Sequence, residues 1–278
     1  MKILSKDRHV EAESLLKAGD LDGALTALQD AIRSDASNAS LRVFLFQLLC
    51  VRGDWKRAIA QLKVSAELDK SAESMAQTYR EGIICEVYRE KVFAGEKEPL
   101  IFGEPQEWCA LMIEALKAGA QGKADQAAEI RARAFDAAPA VSGQIDGQPF
   151  EWIADADMRL GPMLEVIVNG RYFWMPFSAI SKALFEPPAD LRDAVWTPAS
   201  LTLANGGEIV ALIPTRYAGT AGGDNPSEKL ARTTNWSDAG AETYVGTGQR
   251  LLTTDLGDTA IMDLRLLEMD TVPSEGSN

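Results

Sequence analysis

The sequence predicts an α+β protein in which a tetratricopeptide-like helical superhelix precedes a small antiparallel, barrel-like β-rich domain. Three observations predict it. The first half repeats at an interval of 34 residues, the hydrophobic period shortens from helix-like to strand-like after Pro139, and Asn169-Gly170 separates two apolar runs in the second half.

In the repeat, Gly19-Asp20-Leu21 followed by Ala24-Leu25 and Leu28 returns as Gly53-Asp54-Trp55 followed by Ala58-Ile59 and Leu62, and Asp35 and Asp69 share the offset. This is the length of the tetratricopeptide unit, two antiparallel helices and a turn. Glycine suits the left-handed residue that closes the first helix, and small alanines let paired helices approach closely. A third, isolated copy places Gly122, Ala127 and Ala134 at matching spacings and ends at Pro139. Between the second and third copies the register is lost, and residues 73–94 suggest one longer helix followed by a loop over 95–99. The expected helices are 6–18, 21–34, 40–52, 56–69, 73–93, 105–119 and 124–137.

The helical domain is therefore assigned to residues 1–140, and the turn-forming stretch 141–150 to a linker. Residues 151–269 form the β-rich domain, and 270–278 a disordered tail. Within the β-rich domain, 163–168 and 171–177 make a hairpin, since a type I′ turn needs positive φ at both central residues and Asn-Gly adopts it most cheaply. Residues 178–184 read as one or two helical turns halted by Pro187-Pro188. A second hairpin pairs 201–203 with 209–213 across Asn205-Gly206-Gly207. The glycine-rich stretch 218–224 is a loop, and Tyr244-Val245, 251–253 and 261–267 are closing strands. Several short strands with regular turn signals favour a small antiparallel barrel or sandwich.

Composition narrows the function. At 46% apolar and 25% charged residues the chain can build a real core. No apolar run approaches the ~20 residues that span a bilayer, and the early charges at Lys2, Lys6 and Asp7 do not fit a secretory signal, so the chain is expected in the cytoplasm. Net charge is −13, of which residues 151–278, with 9 Lys and Arg against 18 Asp and Glu, hold −9. Such a surface repels phosphate backbones and anionic lipids. Cys50, Cys85 and Cys109 lie far apart and His9 is the only histidine, so no Cys/His zinc site can be assembled and buried, reduced thiols are expected.

A hydrolytic triad would have to use His9, which sits among Asp7, Arg8 and Glu11 at a solvated helix start. Gly219-Thr220-Ala221-Gly222-Gly223 lacks the lysine of a phosphate loop and Gly246-Thr247-Gly248 is a lone fragment, so no cofactor site is read. Asp155, Asp157 and Glu165 near Arg159 and Arg171 leave two readings. One is an acid–base or cation-binding centre. The other, preferred, is that Asp157, Arg159, Glu165, Arg171, Arg192, Asp193 and Arg216, with Arg232 in a similar setting, form structural ion pairs that fix the β-rich domain or its junction with the helices. Alternation along the first hairpin puts Tyr172 and Trp174 on one face and Phe173, Met175 and Phe177 on the other. One face packs on the core and the other needs a cover, either the helical domain or a partner peptide anchored on Tyr172, Trp174, Trp196, Tyr217 and Trp236.

Four runs carry a family resemblance: Asp157-Met158-Arg159-Leu160-Gly161-Pro162-Met163-Leu164-Glu165-Val166 with 169–177, Pro188-x-x-Leu191-Arg192-Asp193-x-x-Trp196, Ile213-Pro214-Thr215-Arg216-Tyr217, and Arg232-Thr233-Thr234-Asn235-Trp236. In that order they resemble the ImpE/TagJ family, accessory proteins of bacterial type VI secretion systems. The resemblance implies a non-catalytic adaptor. Its implied partners are the N-terminal helix of the small contractile-sheath subunit and the AAA+ unfoldase that recycles contracted sheath. The competing readings are an enzyme centred on Asp155, Asp157, Glu165 and Arg171, and a general tetratricopeptide scaffold.

Overall fold

The computed structural model describes residues 2–270. Its first half holds α1 (Lys2–Ala18), α2 (Leu21–Ser34), α3 (Ala39–Arg52), α4 (Trp55–Leu68), α5 (Glu73–Phe93), α6 (Glu107–Ala120) and α7 (Ala124–Ala137), close to the expected bounds. The repeated residues set those bounds. Gly53, at φ 78°, closes α3 in the left-handed conformation, and Asp54 beside it caps α4 by accepting from the Arg57 N–H. One repeat earlier Gly19, at φ 85°, and Asp20 do the same between α1 and α2, Asp20 accepting from the Gly23 N–H at 2.8 Å. The third copy keeps Gly122 at φ 75° but puts Lys123 at the cap with no side-chain bond, which is why its signal is fainter.

The second half supplies β2 (Gly143–Ile145), β3 (Gln148–Phe150), β4 (Ile153–Asp155), β5 (Met163–Val168), β6 (Arg171–Pro176), β7 (Ile180–Phe185), β8 (Trp196–Leu203) and β9 (Glu208–Pro214). A short helix α8 (Pro226–Lys229) follows, then β10 (Thr234–Asp238), β11 (Tyr244–Gly248), β12 (Leu251–Thr254), β13 (Gly257–Ala260) and β14 (Leu266–Met269). β1 (Leu100–Ile101) comes from the helical half and lies parallel to β6. The main sheet runs β1-β6-β5-β9-β8-β7-β14-β2-β3 and is otherwise antiparallel; β13-β12-β4 and β10-β11 make two small sheets. Asn169 and Gly170 take φ 49° and 69°, the expected type I′ signature between β5 and β6.

Three expectations are corrected. Residues 141–150 are no linker, because Asp146-Gly147, at φ 48° and 83°, makes a second two-residue turn between β2 and β3, and β2 pairs with β14. Residues 178–184 are not helical beyond the turn Phe177–Ala179, since β7 is held between β8 and β14 and pairing outweighs local preference. Of the strand expected over 261–267, only 266–267 are extended, continuing as β14 to Met269. The tail lies outside the described residues except for Asp270, whose N–H donates to the Ser142 carbonyl at 2.9 Å.

β5 is buried on both faces. Leu164, Val166 and Val168 face an inner core with Met175, Phe177 and Ile213, whereas Met163 and Ile167 join Tyr172, Trp174, Trp196 and Leu212 in a cluster that continues through Ile83, Phe46 and Leu28 to Ala12 of α1. The helices thus cover the outer aromatic face of the hairpin. Phe150 of β3 and Met175 of β6, from opposite ends of the strand order, share the inner core, so the sheet is curled around it.

Candidate functional site

Buried charge sits in the seam between helices and sheet. Two charged residues of α5, Glu86 and Arg89, fall on its buried face with Tyr79 and Ile83, and Arg89 points at Glu165 of β5. Arg89 Nε donates to Glu165 Oε1 at 2.6 Å and Nη2 to Oε2 at 2.8 Å, a bidentate pair. Arg250, between β11 and β12, also donates to Oε2, and the Tyr172 hydroxyl donates to Oε1. Trp174 Nε1 in turn donates to the Tyr172 oxygen at 2.7 Å. Arg250 reaches Asp155 with its other terminal nitrogen and the Pro214 carbonyl with Nε at 2.9 Å. Glu86 accepts from Trp196 Nε1 at 3.1 Å and from Arg89 Nη1 at 3.4 Å.

These carboxyls titrate differently. Burial alone would raise Glu165, but Arg89 and Arg250 outweigh it and hold the carboxyl down at about 2. Asp155 has one arginine and a neighbouring carboxylate, Asp157, so burial prevails and raises it to about 7. Burial also raises Glu86. Glu165 thus faces the buried guanidiniums of Arg89 and Arg250, the condition under which an ionised group persists away from water.

Among the described residues Arg216 binds no carboxylate directly. Its guanidinium donates to the carbonyls of Val51 at 2.8 Å and Cys50 at 3.3 Å, at the C-terminus of α3, and to Lys229 at 2.7 Å. Arg232 donates to the carbonyls of Lys17 at 2.9 Å and Leu16 at 3.1 Å, at the C-terminus of α1. The two carbonyl pairs are one 34-residue repeat apart. The β-rich half therefore reads the same helix end in both repeats, each time with a cation at the negative end of the helix dipole. The loop 218–224 takes part: Ala221 packs so close to Gly53 that a Cβ on the glycine would lie 2.9 Å from it, and Thr220 accepts from the Gly248 N–H.

Asp157 accepts from Arg159 Nε at 2.9 Å and Nη2 at 2.5 Å, and from the Gly246 N–H at 2.9 Å. Arg192 pairs with Asp190 at 2.7 Å, not with Asp193, which instead accepts from the backbone N–H groups of Ala189 and Asp190. Arg171 is exposed and lies over the Phe173 ring, away from the carboxylates. Tyr172, Trp174, Trp196 and Tyr217 are buried within the chain and offer no ring to a partner, because the helices, the sheet and neighbouring strands already cover them. Trp236 is 40% exposed. All three cysteines are buried and unpaired, and burial pushes the Cys85 thiol up to about 12. His9 meets Glu13 on α1. No group of three or more metal-ligating side chains occurs among the described residues, and no described helix is long and apolar enough to cross a membrane.

Sequence reasoning missed Glu86, Arg89 and Arg250. The signal for the first two was present, since Tyr79, Ile83 and Glu86 recur at helical spacing and put a charge on an apolar face.

Two clefts open along α7. One, of about 200 Å³, is lined by Phe93, Met112, Leu116, Ala127, Arg131 and Arg159. The other, of about 360 Å³, is wider and mostly apolar, between Phe135, Pro139, Trp152, Ile153, Met158 and Pro162, and Trp152 and Phe135 remain exposed there.

The ImpE protein family matches residues 147–268, and the tetratricopeptide repeat family matches residues 15–77. The type VI secretion system accessory component TagJ of Pseudomonas aeruginosa is 54% identical over 264 residues, covering 95% of this chain and 92% of that one. A crystal structure of a Vibrio parahaemolyticus protein superposes with a TM-score of 0.87 over 96% of this chain and 100% of that one, at 24% identity, and shows the same fold. Identity sustained over nearly the full length of both chains, together with the match across the β-rich half, shows that the chain belongs to the ImpE/TagJ family of type VI secretion accessory proteins.

Proposed function

We propose that this protein is a non-catalytic, cytoplasmic adaptor of a type VI secretion system that holds the N-terminal helix of the small contractile-sheath subunit and presents it to the AAA+ unfoldase that recycles contracted sheath. The observation that carries this reading is the open apolar groove between Phe135, Trp152 and Met158. An amphipathic helix docks by sinking anchors at i, i+3, i+4 and i+7 into such a groove, and exposed aromatic residues are the usual energetic centre. The seam supports it from the other side. Glu165 and Asp155 are paired with arginine, which supports a structural role of the kind a scaffold for recognition would need.

The test is a fluorescence anisotropy titration with a labelled peptide from the cognate sheath subunit. Saturation at about micromolar peptide is expected, corresponding to roughly −8 kcal/mol. It should vanish when the apolar face of the peptide becomes serine and weaken at least about tenfold for Trp152→Ser, the loss of one aromatic anchor. A flat titration up to several hundred micromolar would end the sheath-directed reading.

A further inference from the structure

The narrower cleft holds a charge that the fold does not use. Arg131 on α7 is only 5% exposed, yet among the described residues its guanidinium makes a single hydrogen bond, to Thr243 Oγ1, and no ion pair. Asp157 is the carboxylate whose field reaches it, and Arg159 and the Gly246 N–H already occupy that group. The buried side-chain nitrogens left without a partner belong to Arg42 and Arg192, so the remaining nitrogens of Arg131 are not sealed in protein but keep access to the cleft they line. Burial lowers the Arg131 pKa, the direction of a cation withdrawn from water without full compensation.

The surroundings restrict what fits. Two guanidiniums, Arg131 and Arg159, face one carboxylate, so the cleft carries one uncompensated positive charge in a chain of net charge −13. Phe93, Met112, Ala115, Leu116 and Val245 supply apolar walls, and Arg159 is braced over the Phe93 ring at 4.8 Å. A phosphate would bring more charge than one cation balances and nothing for the walls. The cleft, of about 200 Å³, has room for several waters, and so for a short carbon chain with a head group.

We propose that this cleft is a carboxylate-binding site, taking one acidic group on a short apolar body, with Arg131 as the anion partner, Thr243 beside it and the apolar walls seating the body. A guanidinium fork matches a carboxylate in shape as well as charge. The same chemistry arises from a free aliphatic acid or from an acidic residue on an apolar segment of a partner. The site itself does not depend on the sheath-helix reading.

Saturation-transfer NMR on the full chain tests it, with hexanoate as the probe and hexanamide as its neutral equivalent. Hexanoate should saturate below about 10 mM, and hexanamide should bind at least about tenfold more weakly, a factor worth about 1.4 kcal/mol. Arg131→Met should reduce hexanoate to the level of the amide, and Arg131→Lys should recover part of the difference. Val245→Phe, which fills the facing wall and leaves the arginine in place, should abolish binding and keeps the test informative if the Met variant does not fold. Equal binding of acid and amide, indifference to Arg131→Met or Val245→Phe, or no saturation by hexanoate each overturns the proposal. Displacement of bound hexanoate by the sheath peptide assigns the carboxylate to the partner, and simultaneous binding assigns it to a free acid.

Discussion

Glu165 and Arg131 are both charged, both nearly inaccessible and both placed where helices meet sheet, yet they are treated in opposite ways. Around Glu165 the sequence supplies Arg89, Arg250 and Tyr172. Around Arg131 it supplies one hydroxyl and an open cleft. A buried charge with its partners in place is part of the architecture, because removing either side strands the other. A buried charge that has only one hydroxyl partner among the described residues and faces open volume costs folding energy without returning most of it, which is the pattern expected of a site for something outside the chain.

The comparison breaks most visibly at Glu165. Glu165→Ala leaves Arg89 and Arg250 buried together without their shared carboxylate, and should cost about 3–5 kcal/mol of unfolding free energy, read from urea midpoints. A cost under about 1 kcal/mol would mean the pair contributes no more than an exposed one.

Acid sharpens the same point. Glu165 is held near 2 in the fold against an ordinary value of 4.5, so its stabilisation is present above about pH 4.5 and is lost as pH falls toward 2. The shift corresponds to on the order of 3 kcal/mol. Asp155, raised to about 7, acts with the opposite sign: the folded state keeps its proton longer, so stability declines as pH rises from about 4 to 7. Asp155→Asn should flatten the decline above pH 4, and Glu165→Gln the loss below it. Unfolding midpoints measured from pH 2.5 to 8 separate the two limbs.

What the sequence showed and what it hid divide along these lines. The helix ends at the repeat turns were legible nearly to the residue because Gly53-Asp54 and Gly19-Asp20 are at once a helix stop and a helix start, whereas α1 begins four residues before its expected start. The first hairpin was legible from Asn169-Gly170. The second pair, Asp146-Gly147, carried the same information and was hidden by its turn-rich neighbours, which read as a linker. The hub was half legible. Glu165 stood out as a carboxylate in an apolar run, but its arginines lie 76 and 85 residues away along the chain, and no local spacing announces such a pairing. The aromatic anchors failed for a related reason: Trp174 and Trp196 satisfy an interface that lies inside the chain.

The two arginines that bind helix ends give a smaller, internally controlled effect. Arg216 is buried and strips three carbonyls of their partners when removed, so Arg216→Ala should cost about 2–3 kcal/mol, in the range for bonds from a charged donor. Arg232 makes the equivalent bonds one repeat earlier with water able to replace them, so Arg232→Ala should cost less than about 1 kcal/mol. Equal losses would show that the second repeat is docked no more tightly than the first.

The smallest effect on stability belongs to Arg131, and its smallness is the point. Arg131→Met keeps an unbranched apolar stem within the cleft walls that include Met112 and Leu116 but is shorter than arginine, and it gives up the guanidinium with its bond to Thr243 and its attraction to Asp157. It also removes a buried cation whose desolvation is not fully compensated, which offsets the lost bond. The unfolding free energy should therefore move by less than about 1 kcal/mol in either direction, with gain as acceptable as loss. A loss of 3 kcal/mol or more, the magnitude that removal of one member of a buried ion pair produces, would make Arg131 a structural residue like Arg89 and erase the distinction between the two ends of the seam. Near-neutral stability combined with lost carboxylate binding would establish it.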